Sequence, residues 1–442
     1  VNPSISAASD GDARHGGFAR DPIPAVLWQH VAAAAHLREL RSTFVRSPHV
    51  GLLQLSRLDE RLVAHLEGIA VAGDHGTALC HQALDSLGAG TVFAATVRAV
   101  EARDEQRLRT LLAIAHADST ARRGALSAFG WVSAADLRGI TAPLLASTDP
   151  WWCEVGLACC AMHQVDPGEG TLAKALAAAS GPSLRSQALR VYAALGRTEM
   201  RDTCVDIARS SAAVNAPLTF EAARTGVLLG DREACRAALR RFAATADAAR
   251  TSALGLELKL TAPDESVALL KVLCDDPDPI RTLVRAVGVA GDPNQVPWLI
   301  AQMDNLRLAR SAGESFSLIT GLDLPSLDLE RKPPDNVDFG PNDDPADENV
   351  AIDEDDSLPW PDPGKIATWW TANDARFAAG TRYFMGKPPS AAHCFSVLQN
   401  GFQRQRRHAA EYLCLLQPGT PLFNTAAPAW RQQRLLVQMS GS

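Results

Sequence analysis

The sequence predicts an all-α chain of stacked two-helix units. Three observations support this: a turn signal that recurs about every 32 residues through the middle of the chain, apolar residues at three- and four-residue spacing between those turns, and abundant alanine with few aromatics. Alanine loses little side-chain entropy in a helix and lets helix axes approach closely. At 442 residues the chain has ample material for a large core.

The elements follow in order. Residues 1–20 are polar and rich in Gly, Ser and Ala, so they are expected to be disordered, and with no apolar run among them no signal peptide is expected. Residues 21–74 read as an N-terminal helical segment. Its first helix opens near Pro24 and places Val26, Leu27, Val31, Ala34 and Leu37 at helical spacing toward Val45. A second, from Gly51 to Gly68, aligns Leu55, Leu58, Leu62 and Leu66, and Gly73 closes the unit.

Residues 75–322 carry the repetition. Turn-like openers at Asp118, Asp149, Gly181, Asn215, Thr245 and Asp276 are separated by 31, 32, 34, 30 and 31 residues. Arg122, Arg185, Arg250 and Arg281 follow their openers by 4 to 5 residues, and Ala125, Ala188, Ala253 and Val284 come three later. A small residue at that place permits close packing on the next pair, and Gly230 with Asp231 and Gly291 with Asp292 end helices. A period near 32 holds two helices of about 12 residues and their turns, the helical hairpin of a HEAT-like α-solenoid.

Residues 323–357 form an acidic, Pro-rich stretch with thirteen acids against Arg331 and Lys332, which reads as a linker, disordered or draped on the surface. Order resumes over 358–442, a Trp- and Arg-rich helical segment that would cap the array. Its parts are a stiff run from Leu358 to Pro363, a helix from Gly364 to Arg376, a break at Pro388 and Pro389, a basic helix from about Ala391 to Leu416, and a tail ending in the run Pro428–Val437.

The formal net charge of −7 resides in the acidic stretch, and no basic stripe with interleaved aromatics exists, which argues against nucleic acid as a partner. No run of 18 apolar residues is available to span a membrane. Nine cysteines without a C-x-x-C pair read as reduced, buried small hydrophobes in a cytoplasmic protein. The H-E-x-x-H, phosphate-loop and G-x-S-x-G patterns are absent, and the G-x-G at Gly88 and Gly90 lacks a preceding strand and a third glycine. Cys159 and His163 share a helical face but are too few for a metal. Cys80 with His81 and His393 with Cys394 are adjacent pairs that face different ways. Asp59, Glu60, Arg61 and His65 could supply acid and base groups, yet on a surface helix they more often make ordinary exposed contacts. No catalytic, cofactor-binding or metal residue is therefore assigned, and the chain is not expected to be an enzyme.

The densest recognition chemistry lies near the C-terminus. Trp360, Trp369, Trp370, Arg376, Arg382, Tyr383, Arg404, Arg406, Trp430 and Arg431 are the partner-binding candidates, being of the types most enriched at binding hot spots. The alternative is that the tryptophans fill the end of the array and the arginines pair with the acidic stretch.

The run Leu358–Pro363 with Trp369 and Trp370, then Arg376 with Phe377, Gly380–Tyr383, Gly386, the Gly401–Arg406 run and Pro418–Phe423, resembles an uncharacterised family of bacterial HEAT-like repeat proteins. Leu55–Gly68 and Ala72–Asp74 resemble it too. Members of that family are often encoded beside type VI secretion components, especially PAAR-tipped spike proteins and their toxins. The resemblance implies a chaperone or adaptor that binds an effector or PAAR spike protein before export, alone or with a co-chaperone. It defines no catalytic residues. Two other readings stay open: an immunity protein that neutralises a cognate toxin, and, less favoured, an enzyme with a site assembled between repeats.

Overall fold

A computed structural model describes residues 22–177, 179–209, 215–245, 248–273, 280–334 and 353–441. The expected disordered N-terminus, Cys274, the opener Asp276 and most of the acidic stretch lie outside the described residues. The fold is all-α: no β-strand forms among the described residues, only isolated bridges joining Gly51 to Phe402, Glu330 to Pro361 and Phe384 to Lys387. Two compact units are present, one of residues up to 38 with 61–125, the other of residues 39–60 with 126–442.

The first unit draws on α1 (Pro24–Phe44), α2 (Leu52–Val71), α3 (Gly73–Gln82), α4 (Ala89–Glu101), α5 (Glu105–Ala117) and α6 (Ser119–Trp131). Leu27, Val31, Ala34 and Leu37 of α1 are buried, as are Leu62, Leu66 and Ile69 of α2, so the spacing seen in the sequence marks the core face. Nearly all of α4 is buried. Its Gly90 lies so close to α1 that a Cβ would strike the Ala35 carbonyl, and Gly124 of α6 approaches the Ala89 carbonyl in the same way. The G-x-G therefore marks the entry of a closely packed helix.

The second unit contains α7 (Thr141–Ala146), α8 (Pro150–His163), α9 (Glu169–Leu176), α10 (Pro182–Leu195), α11 (Arg201–Arg209), α12 (Ala216–Leu228), α13 (Ala234–Ala244), α14 (Arg250–Leu260), α15 (Pro263–Leu273), α16 (Ile280–Ala290), α17 (Val296–Gln302) and α18 (Ala309–Thr320). The openers Asp118, Asp149, Gly181 and Asn215 sit at the starts of helices for a physical reason, whereas Thr245 caps the end of α13 and α14 begins only at Arg250. The carboxylates of Asp118 and Asp149 and the side-chain oxygen of Asn215 accept from the otherwise orphaned N–H groups of Ala121, Trp151 and Leu218. Pro150 and Pro182 occupy first turns, where the missing N–H costs nothing. At the other end, Gln164, Gly196, Gly230, Gly291 and Gly321 take positive φ just past α8, α10, α12, α16 and α18.

Longer helices pack on their own partners and, on either side of the middle, on the next longer helix: α10 lies against α8, α9 and α12, and α16 against α14, α15 and α18, while α12 and α14 are joined through α13. Single hydrogen bonds stitch the row, from Thr225 to the Leu189 carbonyl (3.3 Å) and from Ser315 to the Val284 carbonyl (2.9 Å). One apolar cluster runs through it from Cys153 and Leu157 to Phe316 and Ile319. The eight described cysteines are all free and buried.

Four more helices complete this unit: α19 (Pro363–Asn373), α20 (Ala391–Asn400), α21 (Gln403–Leu416) and α22 (Ala429–Ser440). The single basic helix expected over 391–416 is two, because Gly401 and Phe402 run extended between α20 and α21. The break pairs with Val50 and Gly51: the Gln403 N–H donates to the Val50 carbonyl at 2.8 Å. No sequence periodicity could show that tertiary pairing.

Candidate functional site

The site begins from an unsolved problem at helix ends. The last four carbonyls of any α-helix lack an internal partner, so a row of helices presents a row of acceptors. Residues 382–431 supply donors and close contacts to that row, residues 382 and 383 at the ends of α14 and α16, residues 385 and 386 at α18, and residues 415, 422 and 431 passing back along α12, α10, α8 and α6. Met385 and Gly386 N–H groups donate to Leu318 (2.6 Å) and Ile319 (3.0 Å) at the end of α18, and Tyr383 N–H to Gly291 (2.8 Å) after α16. The Arg382 guanidinium bonds the Ala290 carbonyl (3.0 Å) and those of Lys259 and Thr261, spanning the ends of α16 and α14. Arg232, just past α12, reaches the Leu415 carbonyl (2.8 Å). Leu422 N–H bonds Ala193 (3.1 Å) in α10, and Gln164 after α8 bonds the Leu422 carbonyl (3.3 Å). Arg431 forks onto Gly130 and Val132, both at 2.9 Å, where α6 ends.

Where α21 crosses α14, a charged pair is enclosed. Lys259 Nζ lies 2.6 Å from the Glu411 carboxylate, with side-chain exposures of 1% and 9%. The Gly255 carbonyl (3.3 Å) and the face of the Tyr412 ring (5.6 Å) complete the surroundings of the ammonium. Burial alone would raise the Glu411 pKa, but Lys259, His408 and Arg407 together bring it down to about 2. His408, one turn earlier, is pushed down to about 3, chiefly by burial and then by Lys259. Its Nδ1 is buried with no hydrogen-bond partner among the described residues. The pair is a closed salt link, with no face of the ammonium left for a reacting molecule.

Next to it, four arginines hold an acidic tripeptide. Arg281 and Arg285 stand one turn apart on α16, Arg310 opens α18 and Arg404 opens α21. Asp355, 1% exposed, pairs with Arg281 and with Arg285 (3.3 Å); Glu354 pairs with Arg285 (2.9 Å), and Asp353 with Arg310. Two contacts read the main chain: Arg310 to the Asp355 carbonyl (3.1 Å) and Arg404 to that of Glu354 (2.8 Å). Arg404 also bonds Glu314 (2.6 Å), whose pKa burial raises against the pull of Arg404 and Arg285. Glu354 is held below the usual carboxylate range, first by Arg285. Both flanks of the acidic stretch are thus anchored, since Arg331 N–H bonds Trp360 (2.8 Å) and Asp362 N–H bonds Leu329 (2.9 Å), while residues 335–352 lie outside the described residues.

The ten partner-binding candidates fall into different surroundings. Arg406 is fully buried and bonds the Leu398 carbonyl, Gln403 and Gln432, and burial brings its pKa down to about 10. Arg431, likewise brought down to about 10 by burial, and Arg382 spend their donors on helix ends, and Arg404 belongs to the cradle. Trp360 is buried under Arg310 (4.8 Å), and Tyr383 is buried against Phe377 (4.9 Å). Trp369 and Trp370 are half-buried, against Phe316 (6.1 Å) and Phe377 (5.2 Å). Arg376 is exposed beside Trp369, and Trp430 is 36% exposed, edge-on to Trp131.

Among the clusters weighed for chemistry, Asp59 is 1% exposed and accepts from Arg41 (2.7 Å) and from the Ala429 N–H (2.7 Å) that starts α22. His163 bonds the Phe129 carbonyl (2.8 Å), and His393 the Phe384 carbonyl (2.7 Å). His65 pairs with His30 (Nδ1 to Nδ1, 3.1 Å). Among the described residues no group of three or more His, Cys, Asp or Glu side chains could hold a metal ion, and no helix is long and apolar enough to cross a membrane.

No family model, no curated protein and no solved structure matches the chain.

Sequence reasoning missed Lys259, His408, Glu411 and the arginines of α16 and α18 in the cradle, whereas Arg404 is among the candidates and its hold on the acidic stretch is the alternative stated for the C-terminal arginines. One signal was available: Glu257 and Lys259 alternate with Leu256, Leu258 and Leu260 in the second half of α14, and a charge placed among core positions implies a buried partner. The partner's identity was not readable, because Glu411 is 152 residues away.

Proposed function

We propose that this chain is a protein-binding scaffold, a HEAT-like α-solenoid whose C-terminal segment clasps the array, and that it serves in the cytoplasm as a type VI secretion chaperone or adaptor for an effector or PAAR spike protein. The observation that carries the scaffold reading is that one segment, residues 382–431, bonds the ends of α14, α16, α18, α10 and α6. Helix ends met along one continuous segment favour units stacked side by side in one sense, the arrangement in which each repeat contacts its neighbours. The enclosure of Lys259 and Glu411 favours binding over catalysis, since this buried charged pair offers no access to a reacting molecule. The secretion role rests on the sequence resemblance. Of the recognition residues, Arg376, Trp369, Trp370 and Trp430 remain sufficiently exposed to meet a client.

The experiment is recovery of the tagged full chain from its native host. A spike or toxin should co-purify, and deletion should abolish export of that toxin without killing the cell. Lethality rescued by removing the toxin would instead establish an immunity protein. Recovery of housekeeping proteins alone, with export intact, would dismiss both.

A further inference from the structure

The arginine cradle does more than a tether requires. Its guanidiniums bond two main-chain carbonyls as well as carboxylates, so they read a peptide and not a loose charge. Arg281, Arg285 and Arg404 face Glu314 and the carboxylates of Glu354 and Asp355, so removing the tripeptide would leave two of these three cations without a carboxylate in a half-buried place. The cradle is thus stable only when an acidic segment fills it. The segment present does not saturate it: Arg285 Nε is buried with no hydrogen-bond partner among the described residues, and the Glu354 side chain is 68% exposed.

We propose that Arg281, Arg285, Arg310 and Arg404 form a docking cradle for an acidic linear segment of a protein partner, which Asp353, Glu354 and Asp355 occupy in cis in the free chain. The partner segment must bring closely spaced carboxylates and accept guanidinium bonds on its main chain. This rests on the scaffold reading for the partner being a protein.

A labelled synthetic peptide matching residues 353–358 tests it, by fluorescence anisotropy with the full chain. Emptying the cradle with the triple variant D353N/E354Q/D355N should tighten peptide binding roughly tenfold or more over the wild type, because the cis competitor is gone. Glu354→Gln alone should tighten it about threefold, and since that side chain is largely exposed the variant decides the question even if the triple variant fails to fold. Adding Arg285→Ala should remove either gain, and raised salt should weaken binding. Equal binding to all these proteins, or none to any, would overturn the proposal. So would a client captured from the host equally by the wild type and Arg285→Ala, an outcome that leaves the scaffold reading standing.

Discussion

Replacing Glu411 by leucine would strand the Lys259 ammonium, whose side chain is 1% exposed, with only the Gly255 carbonyl and the Tyr412 ring beside it. Removing one partner of a buried ion pair costs about 3–5 kcal/mol, and the carbonyl that remains places this case toward the lower end. Lys259→Met should cost less, roughly 1–3 kcal/mol, because Arg407, 3.9 Å from Glu411 and largely exposed, can turn toward the carboxylate left behind. The double variant K259M/E411L strands nothing and should return to within about 1 kcal/mol of the wild type. Since a chain of this length need not unfold in one step, the measurement is hydrogen exchange resolved by mass spectrometry over α14 and α21, read as opening free energies. Glu411→Leu within 1 kcal/mol of wild type, or a double variant as damaged as the sum of the singles, would refute the enclosed-pair reasoning.

The same helix gives the acid response. His408 is protonated more weakly in the folded chain (about 3) than in the unfolded one (6.5), so its contribution falls as pH drops through that interval, by about 5 kcal/mol at most at ~1.4 kcal/mol per pH unit. Glu411, depressed to about 2, adds a loss as pH falls below its unfolded value of 4.5. His408→Leu should therefore flatten the melting temperature between pH 6 and 4, and an unchanged slope would count against its burial. Arg382→Ala leaves three carbonyls at the ends of α14 and α16 without that donor and should cost roughly 2–4 kcal/mol in denaturant unfolding, with lysine, which lacks the fork, recovering only part. Gly321 and Gly380 share positive φ (74° and 72°), but a Cβ meets the Met385 carbonyl at 2.6 Å in the first and nothing within 4 Å in the second. Gly321→Ala should thus lower the melting temperature distinctly more than Gly380→Ala, whose cost is about 1 kcal/mol, and equal shifts would mean that the close approach to Met385 is absent.

Local chemistry explains what the sequence made legible. Asp149, Asn215 and the prolines after Asp149 and Gly181 act within one helical turn, so their meaning survives without tertiary knowledge, and the helices start where they stand. The period follows from that, as does the all-α class. The break between α20 and α21 was invisible because Phe402 is drawn out by Val50 and Gly51, far off in the chain, and only Gly401 hinted at it.

The C-terminal segment shows why composition reveals less about a site than about a fold. An excess of arginine and tryptophan signals recognition without saying whether the recognised surface belongs to another molecule or to the same chain. Arg382 and Arg431 answer by geometry, since a planar fork suits paired carbonyls and helix ends offer them in quantity, while buried Arg406 divides its donors between the Leu398 carbonyl and the side chains of Gln403 and Gln432. Arg404 answers by charge, standing where Glu314 and the Glu354 backbone converge. A residue type enriched at interfaces is thus used along this segment to fasten the chain to itself, and the side chains left over, Arg376 and Trp430 with their half-buried neighbours on α19, are the ones whose exposure has no internal explanation. On the proposed scaffold reading, those are where contacts to a client are to be sought first, together with the cradle that already holds an acidic peptide.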